Sequence, residues 1–317
     1  GLAGVILVLG YSLAFGRYLY DAIDGSYTFV GTFSSKNQLG FFASLGIYFA
    51  FSMIFLLRQR GLPALLYLAG GAVSAWCLAL SQSATSMISI VFAVAAAFCA
   101  RFLQTLAPLP RNLLAAFGLV LAVLAAMAAL QWGALDAVLG AFGKDATLTG
   151  RTYLWSQGIA AALENPVFGR GYYAYWVHGF ADAERLWEEF YITARTGFHF
   201  HNTYIEAVVE LGAIGLFLLV ILVAGSTVRH VLRLLRNSDA RDAQVLSGII
   251  AMLLLRSFVE VDVMTPYVVG SFLLYYAAGY SPIRQAGRAR KVPGRGEASV
   301  IPRTSFSGAV TPPQSEA

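Results

Sequence analysis

The sequence is short of charge. Only 12% of its 317 residues are Asp, Glu, Lys or Arg, about half the share usual in a soluble domain. With 58% of the chain hydrophobic, a water-soluble globule is excluded, because the apolar residues fall in long blocks that need lipid around them. Cysteine is scarce as well. Cys77 and Cys99 both lie inside apolar runs, which argues against a disulfide framework and leaves two small buried hydrophobes. Nothing alternates polar and apolar residues as a barrel strand does. The net charge of +5 comes with no basic face interleaved with exposed aromatics, so no nucleic-acid partner is expected. Residues 1–15 are apolar but lack a basic start and a cleavage site. They read as a transmembrane helix, with upstream helices missing from this chain, rather than a signal peptide.

What the chain does contain is apolar segments near the length that crosses a bilayer, which takes roughly 20 helical residues. Eight are expected, at 1–16, 38–57, 62–80, 86–103, 113–132, 203–228, 243–260 and 265–281. The expected fold is an all-α integral membrane bundle of many spans. If the chain starts on the cytoplasmic side, the connections 58–61, 104–112 and 229–242 and the tail hold most of the arginine. The short loops on the other side carry only Arg17 and Lys36, the asymmetry that sets orientation. The chain thus divides into five helices in 1–132, an extramembrane region 133–202, three helices in 203–281, and a disordered basic tail 282–317 rich in Arg, Pro, Gly and Ser.

The region 133–202 opens on a polar turn around Lys144 and Asp145. Thr149 can cap a helix that runs to Glu164 and stops at Asn165-Pro166. Tyr153 or Leu154, Trp155, Ile159 and Leu163 recur there at helical spacing, giving an amphipathic helix that could lie on the membrane surface. The stretch 167–178, VFGRGYYAYWVH, suits either an interfacial aromatic belt or stacking on sugar rings.

The residues with chemistry gather at one side. His201-Asn202 is followed after nine residues by Gly212-Ala213-Ile214-Gly215-Leu216. A histidine at the mouth of a span can take a proton near neutral pH. Asn202 or Thr203 can cap the helix that follows. Glu206 or Glu210, one and two turns in, could orient His201 as a carboxylate orients a catalytic imidazole. Gly212 and Gly215 would let a neighbouring helix approach. Arg151 opens a helix, where the dipole disfavours a cation; a functional contact with an anion, shared with the first-turn N–H groups, explains it better. Arg170 sits between Gly169 and Gly171. Lys36 and Asn37 stand at the mouth of a span, Lys36 as an anion contact or a snorkelling anchor. Arg256 lies inside a span at an insertion cost of about 2.5–3.5 kcal/mol, with Glu260 one turn on as its expected partner. His199 and His230 read as loop residues.

Four stretches carry a family resemblance. His-Asn, nine residues, then Gly-x-x-Gly-Leu is similar to the signature of the O-antigen ligase and exopolysaccharide polymerase superfamily. Gly31-Thr32-Phe33-Ser34-Ser35-Lys36-Asn37-Gln38-Leu39-Gly40, Leu80-Ser81-Gln82-Ser83-Ala84-Thr85, and Gly150-Arg151-Thr152-Tyr153-Leu154-Trp155 with Pro166-Val167-Phe168-Gly169-Arg170-Gly171 resemble its other segments, in the same order. The resemblance implies a glycosyltransferase of the bacterial inner membrane. Its site would face the periplasm, and 133–202 would be a large periplasmic loop. The donor would be an undecaprenyl-diphosphate-linked glycan, the acceptor another glycan or lipid A–core, with no metal, cofactor or nucleotide sugar. Other polysaccharide assembly proteins are possible partners. On this reading His201 and Arg151 are catalytic, and Lys36, Asn37, Arg170, Arg195, Asn202, Glu206 and Glu210 bind substrate. Many ligases of the superfamily carry an Arg in the turn that here reads Ser81-Gln82-Ser83-Ala84-Thr85. Its absence favours the polymerase branch, and Arg195 could supply the missing charge. A solute transporter would show paired broken helices in two repeated halves, and no such repeat is present. A structural partner of polysaccharide export is a third reading.

Overall fold

The computed structural model describes residues 2–21, 26–132, 150–236 and 241–280. The expected turn at Lys144 and Asp145, the Thr149 cap and the basic tail lie outside these residues. The chain is helical, as its composition implies. In order come α1 (Leu2–Phe15), a hairpin of β1 (Arg17–Asp21) and β2 (Ser26–Gly31), α2 (Lys36–Phe51), α3 (Leu62–Ser81), α4 (Ala84–Thr105) and α5 (Pro108–Trp132). Then follow α6 (Arg151–Glu164), α7 (Ala181–Glu189), α8 (Thr203–Arg236), α9 (Arg241–Ser257) and α10 (Val269–Gly279). A π-turn at Ser52–Leu56 extends α2.

Among the described residues, four helices are long and apolar enough to cross a membrane: Lys36–Leu56, Leu62–Ser81, Ala84–Thr105 and Thr203–Arg236. The apolar parts of α1, α5 and α10 are shorter, at Ala3–Phe15, Pro108–Leu121 and Val269–Gly279, and α9 stops at Ser257. Apolar length alone misplaced that last boundary, because the residues after it run on as an irregular link to α10.

The core is built around α2, which packs on α3 and α4, with α9 against α4 and α8. Close approach is made by small residues meeting polar ones. Gly40 faces Ser83 and Ser86 so closely that a Cβ there would lie 2.7 Å from the Ser86 hydroxyl. Gly248 of α9 makes room for Tyr48 of α2, whose hydroxyl donates to Val245 O at 2.7 Å. Exposed apolar side chains such as Leu65, Trp76, Phe117 and Phe217 cover the helix flanks, as lipid-facing helices require. Cys77 is buried, but Cys99 is exposed, against the expectation of two buried thiols.

Residues 150–202 form a second small core on α8. The buried face of α6 is Leu154, Gly158, Ala161 and Ala162, whereas Ile159 and Leu163 are exposed. Of the expected apolar stripe, Leu154 faces inward while Ile159 and Leu163 face out. The stretch 167–178 is split: Tyr175 is buried and Trp176 packs with it, with Trp187 of α7 and with Phe198 and Phe200, while Tyr172 and Tyr173 stay exposed. Neither α7 nor the hairpin was expected, since both are short and carry mixed polarity. His230 is a buried residue of α8 with Nε2 2.8 Å from Ala277 O, not a loop residue.

Gly212 breaks α8, with φ 65 and ψ −168, a region open essentially to glycine alone. The break exposes backbone groups that the 166–171 loop takes up. Arg170 N donates to Val209 O at 2.9 Å, Gly171 N to Glu210 O at 2.8 Å, and Ala213 N to Pro166 O at 2.8 Å. Gly169 and Gly212 face the opposite backbone so closely that a Cβ on either would run into it. Gly212 thus admits a loop rather than a neighbouring helix, and the atoms nearest a Cβ on Gly215 are those of Leu211 of its own helix.

Candidate functional site

The site is organised by a carboxylate that none of the four motif stretches contains. Glu260 lies past the end of α9 and is buried. Its Oε1 accepts from Arg151 NH2 at 2.9 Å and from Asn37 Nδ2 at 2.8 Å, and its Oε2 lies 3.4 Å from His201 Nδ1. Arg151 NH1 donates to Val259 O at 2.7 Å, and Thr203 Oγ1 donates to Glu260 O at 2.6 Å. Asn202 accepts from Tyr204 N and Ile205 N, capping α8, and donates to Phe258 O at 3.1 Å. The four stretches therefore meet through Asn37, Ser83, Arg151 and His201-Asn202. Ser83 Oγ is 2.9 Å from Asn37 Oδ1 and 2.9 Å from Ser86 Oγ, which accepts from Arg256 NH1 at 3.0 Å.

Arg256 corrects one expectation. Its guanidinium pairs with Asp262 at 2.6 Å, not with Glu260, and stacks over Phe41 at 4.3 Å. It also brings a cation to Ser86, beside the Ser81–Thr85 turn that lacks one. Arg195 does not: it pairs with Glu184 and Glu188 at 2.6 and 3.6 Å. Arg170 pairs with Glu164 and lies over Phe180. Lys36 is half-buried at the start of α2. Glu206, proposed to orient His201, instead accepts from Trp176 Nε1 at 2.9 Å and Phe200 N at 2.7 Å, holding the aromatic core to α8. Glu210 is buried where the 166–171 loop crosses α8. The carboxylate beside His201 is Glu260; a spacing of 59 residues from His201 gave no local signal for it.

Burial alone would push the Glu260 carboxyl up, but the Arg151 guanidinium and His201 beside it hold it well below the usual carboxylate range. His201 has φ 51, an uncommon backbone for a residue with a Cβ. His199 helps to hold it there, its Nδ1 accepting from His201 N at 3.1 Å with the rings 4.2 Å apart. His199 is thus part of the site, not a bystander.

Burial, then the His201 ring, push His199 from its ordinary 6.5 down to about 3, with Arg151 adding to the effect. An unfolded His199 takes a proton near 6.5 and the folded one only near 3. Its contribution to stability is complete above 6.5 and is lost as pH falls toward 3, by at most about 1.4 kcal/mol per pH unit. The melting temperature of the purified protein should fall between about pH 7 and about pH 5. His199→Asn, whose Oδ1 can take the place of Nδ1, should flatten that slope; an unchanged slope would refute the assignment.

His199, His201 and Glu260 place three ligand atoms within 4.8 Å of one another. Glu260 is already engaged by Arg151 and Asn37, and a guanidinium on the same carboxylate disfavours a second cation.

Comparison with known proteins bears on this arrangement. The family profile of the O-antigen ligases matches residues 69–220. The exopolysaccharide production protein ExoQ of Rhizobium meliloti is 53% identical over 290 residues, 91% of this chain and 66% of that protein. Over residues 69–220 the chain is similar to the O-antigen ligase family. It spans 66% of the length of the relative it matches. No solved structure matches it. Asn37 and Glu260 both fall outside the region matched by the family profile, although they bond each other at 2.8 Å.

Proposed function

We propose that this protein is a glycosyltransferase that polymerises undecaprenyl-diphosphate-linked repeat units of an exopolysaccharide or O-antigen on the periplasmic face of the bacterial inner membrane. The observation that carries the reading is the sharing of one buried carboxylate, Glu260, by Arg151 and His201. With Nδ1 held by Glu260, the other ring nitrogen of His201 takes the proton of the attacking sugar hydroxyl. The hydroxyl oxygen bonds to the anomeric carbon, and the bond from that carbon to the diphosphate breaks. The guanidinium of Arg151 has five N–H donors, of which the contacts to Val259 and Glu260 use two. The others meet the charge that develops on the departing diphosphate. Lys36 and Asn37, at the start of α2, line the approach to the same carboxylate.

Transfer to lipid A–core is the second reading, and the family description favours it. The exopolysaccharide role of the relative and the cation-free Ser81–Thr85 turn favour polymerisation. The test is complementation of a polysaccharide-deficient strain by the full-length gene. His201→Ala or Arg151→Ala should cut long-chain polymer by about 10²-fold or more at normal protein level. Unchanged polymer from both variants would overturn the reading. Free surface polymer compared with glycan on lipid A–core separates polymerase from ligase.

A further inference from the structure

A line of hydrogen bonds crosses three helices, from Arg256 of α9 through the start of α4 to Asn37 of α2, and ends on Glu260. Arg256 NH1 donates to Ser86 Oγ at 3.0 Å, and Ser86 Oγ lies 2.9 Å from Ser83 Oγ. Ser83 Oγ is 2.9 Å from Asn37 Oδ1, and Asn37 Nδ2 donates to Glu260 Oε1 at 2.8 Å. Arg256, Ser83 and Ser86 are buried, so bulk water does not compete for these bonds. Gly40 leaves room for the line. A Cβ there would stand 2.8 Å from the Ser83 Cβ and 2.7 Å from the Ser86 hydroxyl.

Both ends impose the same direction. A guanidinium only donates, and a carboxylate paired with one only accepts. Glu260 therefore takes the amide nitrogen of Asn37, which turns Oδ1 toward Ser83. Oδ1 only accepts, so the single proton of the Ser83 hydroxyl goes to it. The Ser86 proton then bridges the two hydroxyls, and the Ser86 oxygen is left to accept from Arg256. Reversing any link would set two donors or two acceptors face to face. The Arg256 end is anchored, with Nε and NH2 donating to Asp262 at 2.6 and 3.3 Å and the guanidinium 4.3 Å from the centre of the Phe41 ring.

We infer that Ser83 and Ser86 are positioning residues that fix the Asn37 amide and, through it, the rotation of the Glu260 carboxylate. This rests on the glycosyltransferase reading for the task of Glu260. Asn37 is only half-buried, so its amide needs a hold on both sides. Held by Ser83, it keeps Glu260 Oε1 between its own nitrogen and Arg151 NH2. Oε2 then stays toward His201 Nδ1, 3.4 Å away. Without the Ser83 hydroxyl the amide is held from one side, the carboxylate turns about its bond to Arg151, and His201 loses its orienting acceptor. The Ser81–Thr85 turn, which carries no cation of its own, thus serves the site through its hydroxyls.

The test is steady-state kinetics of the full-length protein in nanodiscs, with the repeat unit on its polyprenyl diphosphate carrier, extracted from a polymerase-deficient strain, as substrate. Ser83→Ala and Ser86→Ala should each lower kcat about 10–10²-fold and leave KM within about twofold, since they act on orientation rather than on binding. Ser83→Ala in an Asn37→Ala background should cost nothing further, because Ser83 works through that amide. A merely structural serine would lower the active fraction in both backgrounds alike. Ser83 also caps α4, accepting from Ser86 N; should its alanine variant fail to accumulate, Ser86→Ala, which keeps the cap, decides. Wild-type kcat in the serine variants, or Ser83 and Asn37 effects that multiply, would overturn the proposal. His201→Ala separates the two ideas. Normal turnover from it would sink the catalytic reading and the task of the two serines together, whereas an inactive His201→Ala beside wild-type serine variants would sink the relay alone.

Discussion

Glu260→Gln should leave the protein in the membrane near its normal level and cut polymer formation by about 10²–10⁴-fold. Glutamine keeps an acceptor for Arg151 NH2 and Asn37 Nδ2, which lie 2.9 and 2.8 Å from Glu260 Oε1. It cannot keep the charge that balances Arg151 or that holds the Nδ1 proton of His201. The imidazole then loses its orientation, and the guanidinium keeps a charge with no counter-ion. Glu260→Ala removes the acceptor as well. Breaking a buried pair from one side costs about 3–5 kcal/mol, so this variant should also accumulate poorly. The decisive comparison is polymer per molecule of protein, by gel analysis of surface polysaccharide against an immunoblot. Wild-type polymer from Glu260→Gln would reduce Glu260 to a structural tie. Effects at His201, Arg151 and Glu260 should not add, because the three act through one set of contacts.

The second large effect is expected at a residue with no side chain. Gly212→Ala forces a Cβ into a backbone region that costs roughly 1–3 kcal/mol, against the Val167 carbonyl and the Phe168 amide. Both opposing atoms belong to the main chain, so no rotamer change relieves the clash. The 166–171 loop must withdraw, with the loss of its hydrogen bonds to Val209 and Glu210. The sum should reach about 4 kcal/mol or more, seen as a lower melting temperature and a protease-sensitive 150–202 region. Gly225→Ala, on the same helix with open space around it, should be neutral or stabilising by up to about 1 kcal/mol. Equal stability of the two variants would show that the Gly169–Gly212 contact is not what holds the loop.

Much of this protein could be read before any coordinates. Long apolar runs mark α2, α3, α4 and α8, because a span is a local property of some 20 residues. The motif stretches named Asn37, Arg151, His201 and Asn202, and all four lie in the cluster. Apolar length failed where a run continues without helix, as after Ser257, and where short elements of mixed polarity form, as in the hairpin and α7. Periodicity found α6 but not its phase, since an inward face depends on what packs against it.

The sequence alone determined that this chain is a multispan helical membrane protein and singled out Asn37, Arg151, His201 and Asn202, because hydropathy and motif spacing act over short stretches of chain. Only the tertiary structure decided which carboxylate serves the histidine. Glu206 and Glu210 were nearer along the chain, but α8 turns them toward the aromatic core and the 166–171 loop. Burial of Arg151 beside His201 needs a counter-charge, and the fold brings it from the link after α9, 59 residues from His201.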